Sequence, residues 1–142
     1  MIDLVLHNRT TQRSFGKAFV LRVCNAAESH LKIPKKHHAE VGVVFVGPMA
    51  MRTLNRKRRG VDASTDVLSF PLHTKPITGY TAILLGDLFI CPSVVRAKAK
   101  ESGQSVQRQM AWTIAHGLLH LAGYNHTAMQ PHEQRILNTL NL

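Results

Sequence analysis

Residues 116–126, His-Gly-Leu-Leu-His-Leu-Ala-Gly-Tyr-Asn-His, constrain the fold of this chain more than any other segment. Side chains four residues apart lie on one face of an α-helix, so His116 and His120 can point at the same ion. Gly123 can take the left-handed conformation that ends a helix, which lets the chain turn back and bring in His126. Three neutral imidazoles leave a tetrahedral zinc one open position, as in catalytic sites. The segment therefore predicts a helix, a tight turn and one bound metal ion.

The same spacing occurs in the metzincin proteases, whose motif is H-E-x-x-H-x-x-G-x-x-H. Their glutamate serves as the general base, but position 117 of this chain is Gly. Loss of that base should cost a protease orders of magnitude in rate. A zinc metalloprotease is therefore an alternative function, and Gly117 is evidence against it. Zinc suits three imidazole ligands best, although nickel or copper would fit the same ligands.

The charge of the chain is unevenly distributed. Residues 1–60 hold 12 Lys and Arg against 3 Asp and Glu, whereas residues 61–142 hold 6 against 5, for a formal net charge of +10. Such asymmetry favours a surface for a polyanion, most often nucleic acid. The length of 142 residues predicts a single domain over residues 1–142 with one substantial core.

The sequence predicts a cytoplasmic protein without a membrane partner. No apolar run approaches the roughly 20 residues that span a bilayer. The amino terminus has an early acid, Asp3, and lacks the basic region of a secretory signal. Cys24 and Cys91 have no metal-type spacing, and we expect both to be buried thiols in a reducing compartment.

Apolar patterning predicts an α+β fold, with a small mixed β-sheet packed with helices. Ser105–Ala122 is apolar around most of its circumference, which predicts a buried central helix that carries the first two metal histidines. We expect another helix from Pro48 to about Lys57, then a basic loop over Arg56–Ser64, and a last helix over Pro131–Leu140. The predicted strands are Ile2–His7, Val41–Val46, Val67–Leu72 and Ala82–Ile90, the last interrupted at Gly86 and Asp87, with an exposed connection over His73–Thr81.

A cluster of cations forms the second candidate site. The four consecutive residues are Arg56, Lys57, Arg58 and Arg59. The planar fork of Arg binds phosphate in bidentate fashion, so this basic segment could hold a phosphodiester against the metal. A run of charge that is simply solvated is the alternative interpretation.

The chain resembles the YbeY family, which comprises bacterial metal-dependent endoribonucleases associated with ribosomal RNA maturation. Three stretches carry the resemblance: Arg59-Gly60 with Thr65-Asp66-Val67-Leu68-Ser69-Phe70-Pro71, then Leu85-Gly86-Asp87, then the histidine segment with Gly117. The resemblance implies that His116, His120 and His126 bind one zinc ion. It also implies that Arg59 is the basic residue needed for RNA cleavage. We expect Arg59 and His116 to be catalytic, and from the basic segment we expect Arg56, Lys57, Arg58 and Arg59 to bind the substrate, although the first three make this loop more basic than the family pattern requires.

One position departs from the family pattern. The residue before the last histidine is usually Asp in this family, and here it is Asn125. We expect Asn125 and Ser69 to support the metal ligands without binding the metal themselves. An Asn can accept a hydrogen bond but carries no charge, which would alter metal affinity or the acidity of a bound water.

The function implied by the resemblance is zinc-dependent cleavage of single-stranded RNA in ribosomal RNA processing, including maturation of the 3′ end of 16S rRNA, and in ribosome biogenesis and quality control. The implied partners are ribosomal RNA, the ribosome and assembly factors. Arg59 would stabilise charge in the transition state. Either a hydroxide on the metal or the RNA 2′-hydroxyl could start the reaction, and both stay open. A non-catalytic ribosome-assembly protein that binds RNA is a further alternative. Nothing in the sequence indicates the oligomeric state.

Overall fold

The structure, a computed structural model, describes residues 1–11, 15–34, 36–72 and 82–142. The described residues form one four-stranded sheet and five α-helices. The strands are β1 (Ile2–Asn8), β2 (His38–Phe45), β3 (Val67–Pro71) and β4 (Ala82–Ile90). The helices are α1 (Lys17–Ala27), α2 (Pro48–Arg59), α3 (Pro92–Ser102), α4 (Val106–Leu121) and α5 (His126–Thr139), and a short 3₁₀ turn, Glu28–His30, follows α1.

The sheet is mixed, as the sequence predicts. Its strand order is β1-β2-β4-β3. β1 pairs parallel with β2 and β2 pairs parallel with β4, whereas β3 pairs antiparallel with β4. A mixed sheet with helices packed on it confirms the α+β prediction.

Helix α4 lies at the centre of the molecule. It contacts α1, α3 and α5 on its sides and β3 and β4 beneath it. Ser105 caps its start, because the Ser105 hydroxyl accepts a hydrogen bond from the backbone N–H of Arg108 at 3.1 Å. Met110, Ile114 and Leu118 on this helix have no exposed surface. The predicted buried central helix is therefore confirmed, and it fixes the first two histidines to the core.

The basic loop predicted over residues 56–64 is wrong in its first part. α2 continues to Arg59, and Gly60 ends it with φ 71° in the left-handed region. All four consecutive cations therefore lie in the last helical turn. Cations at the carboxyl end of a helix interact favourably with the helix dipole.

The last helix begins earlier than predicted. α5 starts at His126 and passes through Pro131. The Asn125 side chain caps its first turn, since Oδ1 accepts a hydrogen bond from the backbone N–H of Ala128 at 3.0 Å. This cap initiates the helix, and Pro131, which lacks an N–H, costs it one backbone hydrogen bond.

Two strand predictions need correction. β4 is not interrupted at Gly86 and Asp87 but runs through them, with a register shift opposite Glu40 and Val41. This shift is a β-bulge, which bends a strand without ending it. β2 begins at His38 rather than Val41. The predicted connection over residues 73–81 lies outside the described residues.

Across residues 1–11, 15–34, 36–72 and 82–142, we find no helix with the length and apolar character needed to cross a bilayer.

Candidate metal centre

The structure brings the three predicted ligands together. His116 and His120 lie one turn apart on α4, and His126 is the first residue of α5. Gly123 has φ 92° in the turn between the helices, a conformation that side chains rarely adopt. One potential ligand atom from each histidine lies within 4.8 Å of those of the other two. Metal binding by these residues is consistent with this arrangement and stays a prediction.

The surroundings of His116 and His120 favour the neutral form of imidazole that binds metals. Burial, reinforced by His116 and His126, lowers the pKa of His120 to about 4. Burial also lowers the pKa of His116, against the opposing influence of Asp66. His126 is exposed, so the site opens to solvent on its side.

One atom of the site has no partner of its own. Nδ1 of His116 is buried and makes no hydrogen bond with any described residue. Burying a polar atom without a hydrogen-bond partner costs about 1–3 kcal/mol, so the burial of Nδ1 indicates a functional role for His116. Three imidazoles whose ligand atoms lie within 4.8 Å of one another fit a metal ion well. These residues could hold one ion, and imidazole ligands suit zinc.

The histidines form one wall of a cleft of about 520 Å³. The same cleft is lined by cations, namely Arg58 and Arg59 at the end of α2. Lys98 of α3 adds a third cation. A cleft that combines imidazoles with cations suits a polyanion better than a neutral ligand.

The four consecutive cations do not all face this cleft. Arg58 and Arg59 line it, whereas Arg56 and Lys57 are not among its lining residues. Arg56 instead pairs with Asp62 at 3.6 Å. The guanidinium of Arg58 lies 4.7 Å from the centre of the Phe70 ring, a cation–π contact that orients it.

Asp66 is a buried acid in the cleft. Its carboxylate accepts a hydrogen bond from the Val67 backbone N–H at 2.9 Å and pairs with Nζ of Lys98 at 3.1 Å. It therefore joins the start of β3 to α3 on the floor of the cleft. Asp66 of the Thr-Asp-Val-Leu-Ser-Phe stretch is thus paired with Lys98, a contact that the sequence alone did not predict.

Ser69 and Asn125 make contacts with the backbone. The Ser69 hydroxyl donates to the carbonyl of Gly117 at 3.4 Å, which ties β3 to α4 between the two helical histidines. The Asn125 Oδ1 accepts hydrogen bonds from the Ala128 N–H and from the Thr127 hydroxyl, the latter at 2.8 Å. Both side chains support the elements that carry the ligands, and their effect on a metal stays a prediction.

Three residues of the site were missed by the sequence analysis: Lys98, Trp112 and Glu133. Trp112 and His116 are four residues apart, a helical spacing that could have placed them side by side. Glu133 follows His126 by seven residues, which is two helical turns, but this signal is lost when α5 is taken to begin at Pro131. For Lys98, which comes from a third helix, no local signal exists.

Comparison with known proteins identifies the family. The family profile described as "Endoribonuclease YbeY" matches residues 5–141. "Endoribonuclease YbeY" of Pelotomaculum thermopropionicum is 42% identical over 112 residues, which are 73% of this chain and 74% of that protein. "Endoribonuclease YbeY" of Persephonella marina is 31% identical over 134 residues, which are 94% of this chain and 85% of that protein.

A solved structure has the same fold. The solution structure of TM1509 from Thermotoga maritima superposes with a TM-score of 0.62 and covers 99% of this chain and 92% of that one. The two sequences are 24% identical in this superposition, so the likeness concerns the fold. The matching profile, the relatives and the histidine segment agree, and the chain belongs to the YbeY endoribonuclease family.

Proposed function

We propose that this chain is a zinc-dependent endoribonuclease that cuts single-stranded RNA, chiefly ribosomal RNA, during ribosome biogenesis and quality control. Residues 1–142 would act as one domain, and maturation of the 3′ end of 16S rRNA would be one of its tasks in the cytoplasm, beside the ribosome and its assembly factors. The observation that carries the proposal is one cleft lined both by three clustered histidines and by Arg58 and Arg59. Membership of the endoribonuclease family supports it.

The residues of the cleft have separate tasks in this proposal. His116, His120 and His126 would hold one zinc ion, which supplies Lewis-acid chemistry that polarises a phosphoryl oxygen and makes water more acidic. Arg59 binds the scissile phosphate and stabilises the charge that develops on its oxygens. Arg58 binds the same backbone, with its orientation fixed by the Phe70 ring.

A peptide substrate fits this cleft less well. A Cβ atom at position 117 would lie 2.8 Å from Cδ2 of Leu88, so a side chain there would point at the sheet. The position that carries the base in metzincins is therefore closed to a glutamate in this chain. The cations that line the cleft with the histidines likewise favour a phosphodiester over a peptide bond.

Cleavage of ribosomal RNA by the purified protein tests the proposal. The wild type should cut single-stranded segments, and both His116→Ala and Arg59→Glu should lose that activity. Lys100→Glu is the matched control, since Lys100 is an exposed cation in the last turn of α3 that does not line the cleft. Cleavage that persists undiminished in His116→Ala would overturn the assignment.

The non-catalytic alternative makes a different prediction in the same assay. A protein that only binds RNA would retain the substrate without turnover, with affinity that falls steeply as salt is raised. Arg59→Glu would then weaken binding but change no cleavage rate.

A further inference from the structure

Glu133 is a buried acid that the proposed reaction does not yet use. It lies on α5, one of five buried polar or charged residues among those described, and is 7% exposed. A buried carboxylate is costly unless hydrogen bonds and neighbouring charges compensate for its lost hydration. The groups that contact Glu133 therefore indicate its role.

The first partner of Glu133 is Trp112. The Trp112 indole donates a hydrogen bond to the Glu133 carboxylate. The same indole stacks on the imidazole of His116, with ring centres 4.7 Å apart and ring planes 19° from parallel. Trp112 thus connects the carboxylate of α5 to a predicted metal ligand of α4.

The second partner is His116 itself. Oε1 of Glu133 lies 3.6 Å from Nδ1 of His116, the buried nitrogen that has no hydrogen bond. A hydrogen bond spans about 2.7–3.2 Å, so a movement of roughly half an ångström would form one. With Nδ1 facing Glu133, the other nitrogen, Nε2, is the one left to bind an ion.

We propose that Glu133 is a positioning residue of the metal centre, which accepts the Nδ1 hydrogen of His116 and directs Nε2 to the metal. This inference rests on the proposed function, because it requires His116 to be a ligand. Trp112 stacks on the face of the His116 ring, and Glu133 lies beside the ring edge that carries Nδ1. A carboxylate behind a ligating histidine makes the histidine more basic, and loss of such a partner typically weakens metal binding about 10–100-fold.

The test is the affinity of the metal-free protein for Zn²⁺, measured by competition with a chromophoric chelator at constant pH. Glu133→Ala should bind Zn²⁺ about 10–100-fold more weakly than the wild type. Glu133→Gln keeps an acceptor oxygen but loses the charge, so its loss should be smaller. Glu101→Gln is the matched control, because Glu101 is an exposed acid on α3 that lines one surface groove together with Glu133, and it should bind like the wild type.

Two further readouts separate positioning from a general effect on folding. The thermal unfolding of each metal-free variant reports whether it is folded before zinc is added. In the zinc-loaded wild type, ¹⁵N NMR of His116 should show a protonated Nδ1 and a metal-bound Nε2.

The outcomes distinguish this inference from the proposed function. A folded Glu133→Ala variant with wild-type zinc affinity would overturn the positioning role and leave the metal centre intact, and so would a spectrum with Nδ1 bound to zinc. A wild type that binds no zinc would overturn the proposed function and this inference together.

Discussion

At the scale of single residues, Gly117, beside the predicted metal ligand His116, shows how closely α4 packs on the sheet. A Cβ atom there would lie 2.8 Å and 3.0 Å from the two terminal methyl groups of Leu88, and 3.3 Å from Cγ2 of Val67. Leu88 is fully buried and cannot move into solvent. The glycine therefore lets α4 lie close to β3 and β4, which sets the depth of His116 and His120 above the sheet.

Gly117→Ala should destabilise the protein even though Ala is the better helix former. Overpacking costs about 1–3 kcal/mol, and the gain in helix propensity is about 1 kcal/mol, so we expect a net loss of up to about 2 kcal/mol. Urea denaturation of the metal-free protein measures it. In a Leu88→Ala background the loss should shrink, because the clashing methyl groups are gone. An equal loss in both backgrounds would contradict the packing explanation.

Asn125 gives a second prediction at this scale. Its side chain caps α5 through the Ala128 N–H at 3.0 Å, so Asn125→Ala should reduce the free energy of unfolding by about 1 kcal/mol. Asn125→Asp should keep the stability, since Asp is an equally good cap and its charge suits the amino end of a helix. Thermal unfolding without metal checks both. Equal losses in the two variants would exclude a capping role.

At the scale of elements, the end of α2 divides four similar cations into two groups. Arg58 and Arg59 line the cleft, whereas Arg56 pairs with Asp62 and Lys57 is not among the lining residues. Asp62 is also held by Arg52 at 2.8 Å, which orders the turn after the helix. The run of cations therefore contributes unequally to the surface that an RNA would meet.

Single charge reversals in this turn should differ in their effect on RNA cleavage. Arg59→Glu and Arg58→Glu should each reduce kcat/KM by at least about tenfold, because each places a carboxylate beside the phosphate. Lys57→Glu should have a smaller effect, which comes from the general field alone. Raising the salt concentration should diminish the Lys57→Glu effect most. Equal losses for all three variants would contradict the division seen in the structure.

The elements also show what could be predicted from the sequence. The histidine cluster could be predicted because His116, His120 and His126 lie within one helix and the following turn, where spacing alone determines geometry. The predicted helix boundaries were less accurate. α2 stays helical through its run of cations until the Gly60 cap, and the Asn125 cap starts α5 before Pro131. Lys98 and Glu133 reach the site only through the packing of α3 and α5 against α4, which no local pattern reveals.

At the scale of the whole molecule, the described residues form two hydrophobic clusters, and the larger one contains the central helix. It includes residues from β1, β2 and β4 and from α1, α4 and α5. Cys24 is fully buried in this core, and burial raises the pKa of its thiol to about 12. Cys91 is also free and fully buried, in the smaller cluster with Met51 of α2 and Leu68 of β3. The expectation of two buried thiols is therefore confirmed.

Neither thiol should react with a disulfide reagent while the protein is folded. Because burial raises the pKa of Cys24 to about 12, almost none of it is thiolate at pH 8, and the thiolate is the reactive form. Both cysteines should be labelled in denaturant, so the labelling rate in native buffer reports opening of the core. Rapid labelling of Cys24 in buffer would show that the core is looser than the structure indicates.

The central claim is that three histidines hold a metal on which cutting of RNA depends. Titration of Zn²⁺ into metal-free protein, with cleavage of a single-stranded RNA followed at each step, tests it most directly. Cleavage by the wild type should rise until one equivalent is bound, and His120→Ala should stay inactive throughout. Cleavage at full rate without zinc, or by His120→Ala, would contradict the account.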